Sequence, residues 1–112
     1  MENLEGLWTV FFQSNFQTIG SGVAVFLHDD RILGGDTSYY YDGKVKIEGS
    51  RAEASIKVVR FNKTLMSIFG NLDSFTLKVS GDIAAPEMEL HGNMVEQPNM
   101  KITIKGKKIT NV

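Results

Sequence analysis

Apolar and polar side chains alternate with a period of two along almost the whole chain, while the 3.6-residue period of an amphipathic helix is nearly absent. Trp8, Val10 and Phe12 share one face of a first strand, and Leu7, Thr9, Phe11 and Gln13 share the other. The polar run Ser14-Asn15-Phe16-Gln17 makes a turn. A second strand, rich in Val and Phe, spans about Gly20 to His28, and Gly20 and Gly22 predict a bulge or sharp coil near its start. Asp29-Asp30 reads as a two-residue hairpin loop into a short third strand that ends at Gly34-Gly35-Asp36. A fourth strand, from about Ser38 to Glu48, sets Tyr39, Tyr41, Gly43, Val45 and Ile47 against Lys44, Lys46 and Glu48. Gly49-Ser50 turns the chain into a fifth strand with Ala52, Ala54, Ile56 and Val58 on its apolar face. Asn62 to Asn71 is the least β-like stretch, and its Leu65, Met66, Ile68 and Phe69 suit one helical turn or a lid over an open end.

The alternation resumes with Phe75, Leu77 and Val79, followed by a turn at Ser80-Gly81-Asp82. Pro86 has no N–H to donate, so it is expected at an edge or a strand start. Met88, Leu90, Gly92 and Met94 form the apolar side of a seventh strand. After Glu96-Gln97-Pro98-Asn99, the last strand sets Met100, Ile102 and Ile104 against Lys101, Thr103 and Lys105. Eight short strands joined by hairpins predict one all-β domain over 1–112, an eight-stranded antiparallel up-and-down barrel. A two-sheet sandwich needs the same alternation and is the alternative.

An eight-stranded barrel encloses a space just wide enough to be filled by side chains or to hold one small ligand. The expected interior includes Trp8, Phe12, Tyr39, Tyr41, Phe75 and Met88, with Val10, Ile56, Leu77, Leu90, Ile102 and Ile104 beside them. These are bulky, so the interior is expected to be mostly closed. Tyr40 then points out. Gly34-Gly35-Asp36 reads as a shaped corner: glycine permits close backbone approach, and a short carboxylate bonds neighbouring N–H groups. Leu7, Phe11, Val59 and Phe61 fall on outward positions and are candidates for contact between copies.

Composition narrows the chemistry. The 112 residues carry a formal net charge of −1, so no overall field gathers nucleic acid or an anionic membrane. The absence of cysteine excludes disulfides, thiol catalysis and thiolate-ligated zinc. The acidic start, Met1-Glu2-Asn3-Leu4-Glu5-Gly6, lacks the basic and apolar runs of a signal peptide, and no apolar stretch is long enough for a helix to span a bilayer. A cytoplasmic location is the expectation.

No catalytic set emerges. His28 neighbours Asp29 and Asp30, but adjacent strand residues point to opposite faces and converge poorly on one ion. Ser21 lies in Gly20-Ser21-Gly22 without the strand–turn–helix context of a nucleophile elbow. Glu87 and Glu89 share a strand face, as alternating charge on a solvated strand does. Lys101, Lys105, Lys107 and Lys108 read as lysines protecting a sheet edge or as a frayed basic tail. Neither a metal nor a cofactor is expected.

The order of features resembles one known family. Gly6-Leu7-Trp8-Thr9-Val10 opens a strand and a glycine-rich strand follows. Then come Ile32-Leu33-Gly34-Gly35-Asp36, Tyr39-Tyr40-Tyr41-Asp42-Gly43, and a hairpin into Val58-Val59-Arg60-Phe61. From about Gly6 to Ile104 this is similar to the GrlR-like family, negative regulators of type III secretion in certain Gram-negative bacteria. The resemblance implies a lipocalin-like barrel that forms homodimers and regulates without catalysis, by binding and masking a transcriptional activator or another protein. In the best-known member an acidic run after the tyrosine element is tied to activity. Here the matching stretch is Glu48-Gly49-Ser50-Arg51-Ala52-Glu53, with Arg51 between the two acids. The resemblance therefore implies partner contact at Asp36, Tyr40, Glu48, Arg51 and Glu53. The alternative expectation is a barrel that carries or senses a small hydrophobic ligand.

Overall fold

Eight antiparallel strands follow one another around a closed barrel in chain order. They are β1 (Gly6–Ser14), β2 (Ile19–Phe26), β3 (Arg31–Gly35), β4 (Tyr39–Glu48), β5 (Arg51–Arg60), β6 (Ser74–Ala84), β7 (Glu87–Met94) and β8 (Lys101–Thr110). The structure, a computed structural model, describes residues 4–15, 19–62 and 73–112. Most of the expected lid, and the expected turn residues Phe16 and Gln17, lie outside the described residues. β1 pairs with β2 on one side and with β8 on the other, so the sheet closes on itself and the sandwich alternative does not apply. The β1–β8 seam carries a bulge between Leu7 and Trp8.

The alternation read from the sequence is the alternation of burial. β4 alternates buried and exposed from Tyr39 to Lys46, and β6 alternates in the same way. Trp8, Phe12, Tyr39, Tyr41, Phe75 and Met88 all lie in one continuous core with Phe26, Val58, Ile83 and Met94. Burying each large apolar side chain contributes about 1.5–3 kcal/mol before conformational entropy is counted. Aromatic rings meet in tilted or edge-on pairs: Trp8 with Phe26 at 5.6 Å, Phe12 with Tyr41 at 5.7 Å, Tyr39 with Phe75 at 5.8 Å. The Trp8 indole N–H donates to the Leu4 carbonyl at 3.0 Å, so its polar edge is satisfied inside the core.

Several local expectations need correction. β2 stops at Phe26, and four residues, 27–30, connect it to β3. Asp30 there adopts φ 63°, and the Leu27 N–H donates to the Arg31 carbonyl at 2.9 Å. Short polar residues such as Asp tolerate this left-handed conformation, which lets the loop turn without a glycine. No register shift interrupts the β1–β2 pairing, so Gly20 and Gly22 mark no bulge. Ser80-Gly81-Asp82 is not a turn, since β6 runs through it to Ala84. Gly81 is required there by proximity: a Cβ on it would lie 2.0 Å from the Glu89 carbonyl oxygen. The reversal comes at Ala85-Pro86, a cis peptide, and Pro86 stands just ahead of β7. Lys101, Lys105, Lys107 and Lys108 guard no edge and form no frayed tail, because β8 is paired on both sides.

Candidate functional site

Closure of the barrel divides the candidate residues between its inside, its two ends and its outer wall. At the end of β3, Asp36 organises the corner that the two glycines allow. Its Oδ1 accepts from the backbone N–H groups of Ser38 and Tyr39, both at 2.8 Å. Its Oδ2 accepts from the Tyr41 hydroxyl, which reaches it from inside the barrel. The Asp36 N–H donates to the Tyr39 carbonyl at 2.9 Å, and the Ser38 carbonyl accepts from the N–H groups of Phe61 and Asn62 at 2.9 and 3.2 Å. Asn62 closes the far side by donating its side-chain amide to the Thr37 carbonyl at 3.2 Å. The Asp36 carboxylate is thus occupied in holding backbone.

The Tyr41 hydroxyl would be costly in an apolar interior without a partner, and Asp36 supplies it. Burial, reinforced by the hydrogen bond to the Asp36 carboxylate and by its charge, holds the Tyr41 phenol proton well above its ordinary range. Room for this pair comes from β2. A Cβ at Gly22 would lie 2.7 Å from the Gly35 carbonyl oxygen and 3.0 Å from the Tyr41 hydroxyl. Gly22 therefore belongs to the corner, although 12 positions separate it from Gly34 in the sequence.

The β4–β5 hairpin lies at the other end of the same strands. Gly49 takes φ 63°, the left-handed sign that primed hairpin turns need at their first loop position. Glu48 pairs with Arg51 across the turn. Arg51 reaches Ser80 Oγ at 3.3 Å and the Asp82 carboxylate at 3.7 Å, while Lys46 lies 3.4 Å from Glu48. Glu53 stands in register between Lys46 and Ser80. These are solvated charges whose pairings each contribute little to stability.

The residues implied as partner contacts therefore fall into two groups. Eight positions along β4 separate Tyr40 from Glu48, about 26 Å of strand. Tyr40 is 47% exposed beside the Asp36 corner, whereas Glu48, Arg51 and Glu53 cluster at the hairpin. One small ligand cannot touch both groups, whereas a macromolecular surface can.

Tyr40 has outward apolar neighbours, among them Leu7, Val59 and Phe61, which alternation places outward, and Val23, Val25 and Leu33, which it does not. Register places Val23, Gly35, Tyr40 and Val59 side by side across β2, β3, β4 and β5. The next outward row runs Leu7, Val25, Leu33. Gly35 has no side chain, so a dip separates Val23, 45% exposed, from Tyr40. Phe61, 61% exposed, continues the strip beyond β5. The outer walls of β6 and β7 instead carry Lys78, Asp82, Glu87, Glu89 and His91. His91 is held by Glu89 at 2.9 Å and by Thr103 at 3.1 Å.

The interior is filled. An apolar void of about 40 Å³, lined by Phe12, Phe26, Tyr41, Leu77, Met88 and Leu90 among others, lies between the packed side chains. Among the described residues, no group of three or more His, Asp or Glu side chains converges to hold a metal ion, and no helix is long and apolar enough to cross a membrane. No protein-family model matches this chain, and no curated protein matches it in sequence.

Proposed function

We propose that this barrel is a cytoplasmic, non-enzymatic regulator that acts as a homodimer and masks a protein partner, a transcriptional activator in the GrlR-like reading. The observation that carries the proposal is the outward apolar strip of Val23, Tyr40 and Val59, bordered by Leu33 and Phe61. Scattered apolar side chains on a surface are ordinary, but a set gathered on four neighbouring strands around one dip marks a surface for another protein. Tyr40 suits it, offering a large rigid ring with a polar tip. The resemblance of the Gly-Gly-Asp corner and tyrosine element to the GrlR-like family supports the same reading. The solvated charges at Glu48, Arg51 and Glu53 would steer encounter more than they add affinity. The alternative, a carrier of a small apolar ligand, gains little support from a void of about 40 Å³, since ligand pockets measure some hundreds of Å³.

The test is affinity capture from the native host at low salt, comparing the parent with a Val23→Glu, Tyr40→Glu variant. The parent is expected to retain a DNA-binding regulator that the variant loses. Light scattering should report a dimer. Capture of no regulator, or equal capture by both proteins, overturns the proposal.

A further inference from the structure

We propose a second docking site, on the outer wall of β4–β7, that takes an acidic, extended protein segment. It uses a different surface from the apolar strip and does not rest on that reading.

Register builds this site from four strands. Lys44 on β4 pairs with Ser55 on β5, which pairs with Lys78 on β6, which pairs with Asn93 on β7. All four positions in that row lack negative charge. In the next outward row, Lys46, Glu53, Ser80 and His91 stand side by side. Ser55 and Ser80 are short, so a low diagonal crosses the two central strands between Glu53 and Lys78. Lys44 and Lys46 wall it on one side, His91 and Asn93 on the other. The result is a shallow groove of about 500 Å³. Grooves of similar volume occur elsewhere on the barrel, so charge and not size singles this one out.

Its lining holds three lysines and one acid, Glu53. Several cations elsewhere on the outer wall are matched, Arg31 with Asp42, Arg51 with Asp82 and Lys105 with Glu89, and the groove that holds Lys105 and Lys107 also holds Asp82, Glu87 and Glu89, whereas this one has lysine in excess. Among the described residues, no ion pair engages Lys44 or Lys78. Two unmatched cations, with the Ser55 and Ser80 hydroxyls and the Asn93 amide beside them, offer a receptor for carboxylates.

The spacing selects the occupant's shape. Lys44 and Lys78 lie two strands apart in one row, a backbone separation of about 9.6 Å. A chain in the polyproline II conformation turns every three residues and rises about 9.3 Å per turn, so acids at every third position project to the same side at that interval. A nucleic acid strand suits the site less, because the row offers no aromatic ring for stacking.

The probe is a fluorescein-labelled peptide of four Glu-Pro-Pro repeats, titrated with the full chain and read by anisotropy in about 20 mM salt, where exposed charges are weakly screened. Binding is expected to weaken about fivefold to tenfold in a Lys44→Ser, Lys78→Ser variant. It should stay unchanged in Lys107→Ser and in Tyr40→Glu, which lie outside the groove. Both lysines are exposed, and fluorescence of the buried Trp8 verifies that each variant is folded. Three results overturn the proposal: no binding by the parent, binding by the double variant within twofold of the parent, or equal or tighter binding of a thymidine oligonucleotide of matched charge. Loss of Tyr40-dependent capture with intact peptide binding would sink the masking function alone.

Discussion

Replacing Asp36 with alanine removes one acceptor group from three donors: the Ser38 and Tyr39 N–H groups and the Tyr41 hydroxyl. A hydrogen bond to a charged group contributes about 1.5–3 kcal/mol. Asp36 is only partly buried, so water can replace some of what is lost at the two backbone donors. Tyr41 is 8% exposed, so its hydroxyl is stranded. The net cost expected for Asp36→Ala is about 3–4 kcal/mol, a large share of a stability of about 5–15 kcal/mol. Asp36→Asn keeps an oxygen for the backbone donors and should cost about 1–2 kcal/mol, as should Tyr41→Phe. In the double variant Asp36→Ala, Tyr41→Phe no hydroxyl is left stranded, so its cost should fall short of the sum of the singles by about 1 kcal/mol or more. Urea unfolding read from Trp8, the sole tryptophan, is the assay. With a slope of about 1.5 kcal/mol per molar, Asp36→Ala should lower the midpoint by about 2 M. A midpoint within about 0.3 M of the parent, or strict additivity of the two substitutions, would refute the idea that this carboxylate holds the corner.

Two further predictions use the same measurement. Tyr41 keeps its proton in the native barrel beyond the point near pH 10 where an unfolded tyrosine releases it. Its contribution is therefore complete below that pH and is lost above it, by about 1.4 kcal/mol per pH unit, and Tyr41→Phe should remove that slope from the alkaline limb. Gly92→Ala would place a Cβ 1.8 Å from the Lys78 carbonyl oxygen, where backbone must move, whereas Gly106→Ala would meet the flexible end of Met88 at 2.6 Å. The first should cost about 3 kcal/mol or more and the second about 1 kcal/mol; equal costs would show that the barrel relaxes freely around both.

What was legible in the sequence was whatever alternated. β7 sets apolar against polar residues one by one and β4 does so from Tyr41 to Glu48, so Tyr41 and Met88 could be assigned to the interior from alternation alone. β2 defeats that reading, because Val23-Ala24-Val25-Phe26 is apolar on both faces and a period of two has no contrast to detect. Val23 and Val25 were hidden from the apolar strip for that reason, whereas Tyr40, Val59 and Phe61 were placed outward by their own alternation. Glycine was the second obstacle. Gly22 and Gly81 announce that something comes close, but not whether it is a turn, a bulge or a neighbouring strand. The lysine groove was out of reach, because Lys44, Ser55 and Lys78 become neighbours only through the registers of β4 with β5 and β5 with β6. The Asp36 corner was the reverse case: its bonds to Ser38 and Tyr39 span two and three residues, and local chemistry writes itself into local sequence.

The seam between β1 and β8 governs how any partner must engage this molecule. Every strand already has a neighbour on both flanks, so among the described residues no strand presents a free edge along its full length, although residues 19–22 of β2 run past the short β3. Recognition by addition of a strand along a whole free edge, which reads backbone and tolerates many sequences, is closed to this fold as long as the seam holds. Selectivity must reside in the identity of outward side chains, and single substitutions on the wall can redirect binding while leaving the scaffold untouched.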